Sequence, residues 1–144
     1  MALVMADLGI DVLLGTFFVA TAVQNTALKL YIDNQTPDAN GGDALADYTE
    51  CLVEAGYDEI ELARGTWVLT PANDPTDVVY PQQTFTFTGP LTDAASIYGY
   101  FVTNAAGTVL LWAEKLAAPF TPANNGDKLL ITPKLQASFG TPAA

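Results

Sequence analysis

Carboxylates are the side chains of this sequence best suited to chemistry. The 144-residue chain holds sixteen Asp and Glu against five Lys and Arg. A glycosidase needs only two carboxyl groups about 5 to 10 Å apart, and Glu59 and Glu61 point to the same side of a predicted strand. Acids spaced by two are also typical of a strand face that meets water. We therefore interpret this pair as a solvated surface.

A looser polar cluster lies in the loop after the first predicted strand and has side chains that could bind calcium. It comprises Asp38, Asn40, Asp43 and Asp47. The helix-loop-helix calcium loop requires Gly at the position of Asp43 and Glu at the position of Thr49. Because the chain departs from that motif at both positions, we expect no metal and no other cofactor.

The other groups needed for catalysis are scarce. The sequence contains no histidine, which removes the usual general base and the commonest metal ligand. We interpret the single cysteine, Cys51, as a small buried apolar residue. Neither Ser96 nor Ser138 lies in a nucleophile-elbow pattern, and no glycine string matches a phosphate-binding loop. The sequence therefore predicts no catalytic residues, and we expect that the protein is not an enzyme.

Composition favours a folded domain with an acidic surface. Half of the residues are hydrophobic, only 15% are charged, and the net charge is −11, which is unlike a disordered protein. Fourteen of the sixteen acids lie in residues 1–93. This charge repels phosphate backbones and anionic lipids, so we expect neither nucleic acid nor a membrane as partner.

Residues 8–23 form a strongly apolar stretch near the N-terminus. No Lys or Arg precedes it and Asp11 lies within it, so it fits neither a secretory signal peptide nor a membrane span. We predict an amphipathic helix in an N-terminal arm of residues 1–24, packed either on the domain's own sheet or on a neighbouring subunit. The candidate partner-interface residues are Ile10, Leu13, Leu14, Phe17 and Phe18.

Seven short strands are predicted after the arm, because β-branched and aromatic runs recur between turn residues. They span residues 27–32, 59–63, 66–70, 83–88, 97–103, 108–114 and 128–132. The pattern predicts a mainly β chain with a single β-sandwich or barrel-like core domain over residues 25–135. A tail of residues 136–144 follows it.

One short helix and two irregular segments are predicted between the strands. Asp47 and Glu50 form a capping-box-like start for a helix over residues 48–55. Prolines predict an extended loop over residues 70–82 and no regular pairing over residues 117–125.

The fifth and sixth predicted strands, joined by residues 104–107, form a hairpin that we expect to be covered on both sides. Neither strand alternates cleanly between apolar and polar residues. Trp67 and Trp112 lie among apolar neighbours in predicted strands, so we expect both to pack in the core.

Eight pieces of the sequence follow one another in an order that is more specific than any of them alone. They are residues 11–15, 28–31, 48–57, 64–67, 83–89, 98–103, 110–114 and 126–134. Their order and spacing resemble a family of small virion proteins of tailed bacteriophages. The resemblance implies a capsid decoration, or cement, protein that binds the major capsid protein or another virion protein, forms a homo-oligomer (a dimer or trimer) and resides in the virion. It implies no catalytic residues.

Two alternatives stay open. The first is a tail, neck or fibre component that binds the host surface, for which the surroundings of Trp67 and Tyr80 are the place to look for carbohydrate recognition. The second is a small carboxylate hydrolase, which requires a cleft with two facing acids and a raised pKa on one of them.

Overall fold

The computed structural model describes residues 25–38, 43–70 and 76–137. The described chain is mainly β, with antiparallel strands, which confirms the predicted class. The strands are β1 (Thr26–Tyr31), β2 (Ile60–Leu62), β3 (Val68–Thr70), β4 (Thr76–Val79), β5 (Gln83–Thr86), β6 (Ile97–Asn104), β7 (Leu110–Phe120), β8 (Lys128–Ile131) and β9 (Lys134–Ala137). All seven predicted strands are present, and β4 and β9 are additional.

The described residues divide into two compact units. Of the described residues, the larger unit contains 25–38, 43–62 and 83–131, and the smaller contains 63–70, 76–82 and 132–137. The larger unit has a four-stranded sheet in the order β2-β1-β6-β7 and a two-stranded ribbon of β5 and β8. The smaller unit has a three-stranded sheet in the order β3-β4-β9.

β1 and β6 form the central pair of the four-stranded sheet. Leu28 lies opposite Val102 and Lys29 opposite Phe101. Almost every side chain of the two strands is buried, as expected of strands covered on both faces. Aromatic rings fill the space around them: Tyr48 packs between Tyr31 and Phe101.

The hairpin prediction holds for β6 but is wrong for β7. β7 pairs with β6 alone among the described strands, and most of its side chains are exposed or half-buried. Asn104 organises the connection, because its Oδ1 accepts hydrogen bonds from the backbone N–H of Thr108 and Val109. Gly107 adopts φ 67° there, the left-handed conformation that glycine tolerates best.

The predicted helix over residues 48–55 is wrong. A 3-10 turn covers Leu45–Asp47 instead, and Asp47 accepts a hydrogen bond from the Ala44 N–H. The following segment pairs with the edge of β1: the Cys51 N–H donates to the Leu30 carbonyl, and the Ile32 N–H donates to the Thr49 carbonyl. β2 reaches only as far as Leu28 along that edge. Satisfying the exposed backbone groups of β1 therefore outweighs the local capping pattern.

The prolines restrict pairing less than expected. β4 forms inside residues 70–82, between Pro75 and Pro81, so neither proline removes a donor from the strand. β7 continues through Pro119 to Phe120, which lies opposite Ile97. The register shifts between this pair and the Gly99–Lys115 pair, and proline is tolerated at such an irregular edge. Both predictions of irregular structure are therefore corrected.

The smaller unit is built around Tyr80. Its ring meets Trp67 edge to face at a centroid distance of 5.1 Å. Its hydroxyl accepts a hydrogen bond from the Ala63 N–H, and its own N–H donates to the Pro133 carbonyl. Residues 134–137 were predicted as the end of the core and the start of a tail, and they form β9 against β4.

The predicted N-terminal helix and the interface residues Ile10, Leu13, Leu14, Phe17 and Phe18 lie outside the described residues. Within the described ranges, no helix has the length and apolar character needed to cross a membrane.

Candidate functional site

An ion cluster around Lys29 lies in the larger unit. β1 positions the Lys29 side chain, which is 13% exposed, and its Nζ lies 2.9 Å from Glu50 Oε2 and 2.8 Å from Glu59 Oε2. Glu50 reaches the lysine because its backbone bridges to Tyr31, and Glu59 lies just before β2. One cation thus holds two carboxylates that are nine positions apart in sequence.

Tyr57 connects this cluster to the backbone of the central pair. Its hydroxyl donates to Glu50 Oε1 at 3.2 Å and accepts from the Leu30 N–H at 3.1 Å. Both backbone groups of Leu30 on this edge of β1 therefore form hydrogen bonds. The Leu30 N–H donates to the Tyr57 hydroxyl, and the Leu30 carbonyl accepts from the Cys51 N–H. Burial raises the pKa of Tyr57 well above its usual range, so the hydroxyl keeps its proton.

The Lys29 ammonium is stabilised in its charged form. Burial alone would lower its pKa, but hydrogen bonds and charge from Glu59 and Glu50 outweigh burial and raise it. A raised lysine pKa contributes stability that is fully present below the ordinary value and is lost in alkali as the pH passes the folded-state value. At neutral pH the lysine is therefore a fixed cation rather than a nucleophile.

A depression of about 470 Å³ adjoins this ion cluster. Its lining residues are Lys29, Glu50, Cys51, Leu52, Val53, Asp58 and Glu59. Three of these residues are acidic and two are large aliphatic residues. The depression therefore combines negative charge with apolar surface.

A second, smaller depression of about 200 Å³ lies next to it and is mainly apolar. Ile32, Cys51, Leu52, Leu91 and Ala95 contribute to its lining, as do Glu54, Thr92 and Asp93. Because Cys51 and Leu52 line both depressions, the two are adjacent on the surface.

Glu54 forms two hydrogen bonds at one side of the smaller depression. Its Oε1 accepts a hydrogen bond from the Thr92 N–H at 2.8 Å, and its Oε2 accepts one from Thr92 Oγ1 at 2.6 Å. These hydrogen bonds hold the pKa of Glu54 below its usual range. The two residues thus tie the segment after Cys51 to the turn at residues 92–94.

Leu52 and Val53 form an exposed apolar ridge between these features. They are 63% and 76% exposed, the two highest values among the large hydrophobic residues that the structure describes. The ridge is not predicted from the sequence, because the local pattern places both residues in a helix. Nothing in the sequence marks them as more exposed than other aliphatic residues.

A third depression of about 320 Å³ contains two of the aspartates considered as possible metal ligands, Asp38 and Asp43. It is lined by Pro37, Asp38, Asp43, Tyr48 and residues 110–113. Asp43 Oδ2 accepts hydrogen bonds from the Tyr48 hydroxyl at 2.5 Å and the Asp38 N–H at 2.7 Å. The Tyr48 bond, followed by the Asp38 bond, lowers the pKa of Asp43.

The described residues hold no metal-binding cluster of His, Cys, Asp or Glu. Asn40 lies outside the described residues. Asp47 Oδ2 accepts a hydrogen bond from the Ala44 N–H, so Asp43 and Asp47 bind backbone and tyrosine donors.

The remaining predicted residues are mostly structural. Trp67 and Tyr80 are buried at 3% and 6% exposure, so their rings pack on each other and offer no exposed stacking surface. Trp112 is half-buried on β7, so the expectation that it packs in the core is wrong. Cys51 is buried as predicted, and this burial raises the pKa of its thiol to about 11. Glu61 lies exposed on β2, apart from the Lys29 ion pairs.

No family model matches the chain, and comparison with curated proteins and with solved structures finds no match either.

Proposed function

We propose that this protein is a non-enzymatic virion structural protein of a tailed bacteriophage, which binds and stabilises the capsid lattice as a decoration protein. The order of its sequence segments supports the assignment to the virion. In this proposal the protein forms a homo-oligomer and binds the major capsid protein. Its strands form one sandwich or barrel-like core domain. The protein is made in the host cytoplasm and is not secreted.

The directions of the pKa shifts favour a structural role over a catalytic one. Among the residues that the structure describes, the tyrosine, cysteine, lysine and carboxylate groups with a shifted pKa are each stabilised in the form that they already hold at neutral pH; Arg64, whose pKa is lowered by burial, is the exception. The pKa values of Tyr31, Tyr48, Tyr57 and Cys51 are raised, that of Lys29 is raised, and those of Asp43, Glu54 and Asp127 are lowered. Catalytic acids and bases are tuned in the opposite sense, toward the working pH.

The exposed ridge of Leu52 and Val53 provides a surface suited to assembly. The two side chains are adjacent in sequence, and contiguous exposed apolar surface rimmed by polar residues is typical of protein contact sites. Backbone hydrogen bonds attach the segment to the edge of the buried β1–β6 pair, which limits the ordering cost of binding.

The direct test is a binding measurement on purified capsids that lack the protein. We expect the fluorescently labelled chain to saturate these capsids at a copy number proportional to the number of capsid subunits, and to delay their thermal rupture. Binding of only a few copies, or binding to isolated tails and not to capsids, would overturn the decoration role.

The N-terminal arm is tested separately. A variant lacking residues 1–22 should lose oligomer formation or capsid attachment if Leu13, Phe17 and their apolar neighbours form the partner interface. Light scattering measures the oligomeric mass, and the capsid-binding assay measures attachment. A truncated chain that keeps its oligomeric mass and still binds capsids shows that the arm is not the interface.

A tail or fibre component that binds host carbohydrate is the second candidate. It is favoured by the depression in which Trp112 and Tyr48 lie near Asp38 and Asp43, because sugar binding combines aromatic rings with hydrogen-bond acceptors. A host-glycan array in which Trp112→Phe reduces binding, together with tail-only localisation, would favour this candidate. The hydrolase gains no such support, since Lys29 bridges Glu50 and Glu59 and engages both carboxylates.

A further inference from the structure

We propose that the ridge of Leu52 and Val53 is the docking surface for a protein partner that presents an apolar contact flanked by Lys or Arg side chains. In the proposed assembly this partner is the capsid subunit, so the identity of the partner rests on the proposed function. The preference for apolar and basic groups depends only on the ridge and the residues around it.

The backbone of the ridge is fixed before any partner binds. The Cys51 N–H donates to the Leu30 carbonyl at 2.9 Å on one side, and the Thr88 N–H donates to the Ala55 carbonyl at 2.7 Å on the other. The paired hydrogen bonds between Thr92 and the Glu54 carboxylate add a third attachment. A ridge held in this way loses little conformational entropy on binding.

The apolar part of the surface is larger than the two exposed side chains. Leu52 also lines the apolar depression of about 200 Å³, with Ile32 and Leu91. This volume accepts one aliphatic side chain from a partner. The ridge projects from the surface and the depression beside it is recessed, a shape that favours a close-packed contact with a partner.

The charge around the ridge selects a basic partner. The nearby carboxylates are those of Glu50, Glu54, Asp58, Glu59 and Asp93, which line the two depressions. The cation lining these depressions, Lys29, is already paired with two of them. A second copy docking through the same ridge would place acid against acid, which is unfavourable. A partner carrying Lys or Arg beside its apolar contact gains attraction instead.

The first experiment uses the full chain and purified capsids that lack it. The double variant Leu52→Ser/Val53→Ser removes both projecting side chains, and Val109→Ser/Leu130→Ser is the matched control because those residues are each 52% exposed in the same unit. We expect the ridge variant to bind capsids about tenfold or more weakly, and the control to bind like the wild type. Where the wild type binds capsids, equal capsid binding by the two variants would overturn the inference.

The second experiment tests the surface without the capsid. NMR titration uses a short synthetic peptide with two leucines flanked by lysines, and a counterpart in which the lysines are replaced by glutamates. We expect the lysine peptide alone to shift amide resonances of residues 51–59 and 91–95, and added salt to weaken the effect.

The two experiments separate the possible failures. If the wild type does not bind capsids but the lysine peptide shifts the ridge resonances, the proposed function fails and the docking surface stands. If the lysine peptide causes no localised shift, or the glutamate peptide binds equally well, the charge-selected docking surface is wrong. Self-association of the wild type that is lost in the ridge variant would also overturn the proposal, because the ridge would then bind a second copy of this chain.

Discussion

The central β1–β6 pair and the ridge of Leu52 and Val53 are both apolar in sequence, but the structure uses them in opposite ways. Leu28 and Val102 are fully buried opposite each other, whereas the ridge side chains are mostly exposed. Hydrophobic side chains stabilise the fold only where they leave water. The comparison therefore separates residues that hold the structure together from residues that remain available to a partner.

The two regions are connected through the edge of β1. Leu30 is buried in the central pair, and its backbone accepts from Cys51 and is capped by the Tyr57 hydroxyl. The central pair thus positions the ridge without covering it. Substitutions in the pair should alter stability, and substitutions on the ridge should alter binding.

Gly99→Ala should break the central pair and give the largest effect. A Cβ at this position would meet the Glu114 carbonyl oxygen and the end of the Tyr31 ring, and a backbone carbonyl cannot move aside cheaply. We expect a loss of roughly 4 kcal/mol or more in the free energy of unfolding, beyond the usual overpacking cost. Urea denaturation measures it.

Gly89→Ala is the control for this substitution, because a Cβ there meets nothing within 4 Å. It should unfold like the wild type. Equal stability of the two variants would show that β6 is less tightly packed than described.

Leu28→Ala and Leu52→Ala make the comparison with one residue type. The first removes a side chain that is 0% exposed and the second one that is 63% exposed. We expect a loss of about 2 to 4 kcal/mol for Leu28→Ala and a change within about 0.5 kcal/mol for Leu52→Ala. Similar losses by thermal and urea unfolding would contradict the division between core and ridge.

Tyr57→Phe should weaken the connection between the two regions by a smaller amount. It leaves the Leu30 N–H without the acceptor that Tyr57 provides, which costs about 1 to 2 kcal/mol. Hydrogen exchange at Leu30 should accelerate. Tyr98→Phe, on the half-buried end of β6, is the control, and unchanged exchange in Tyr57→Phe would show that the hydroxyl does not hold this edge.

Acidification should loosen the ridge while leaving the central pair intact. Hydrogen bonds from Thr92 lower the pKa of Glu54, so their stabilising effect is present above the ordinary carboxylate pKa and is lost as the pH falls through the lower folded-state value. We expect amide exchange in residues 51–55 to increase over this range. Glu54→Gln should abolish the pH step, and an equal step in that variant would assign it to another group.

The sequence predicts the elements that depend on local pattern. Alternation at residues 83–88 identifies β5, and the apolar run from Ile97 identifies β6. The helix over residues 48–55 fails because Leu30, far away in sequence, offers backbone groups that bind this segment as an edge. β4 and β9 were missed because prolines lie near their ends, where they do not interrupt pairing.

The surface features are less accessible from sequence. A lysine held between Glu50 and Glu59 follows from strand register and from the segment's pairing with β1, not from spacing. The exposure of Leu52 and Val53 follows from the same pairing. Local pattern therefore predicts much of the framework, whereas contacts between distant residues determine the candidate site.

The most direct test of the assembly role is near-atomic imaging of intact virions. We expect copies of this chain across the capsid lattice, with Leu52 and Val53 covered by an apolar surface of the capsid subunit that carries Lys or Arg beside it. Copies confined to the tail, or copies on the capsid with the ridge exposed to solvent, would contradict it.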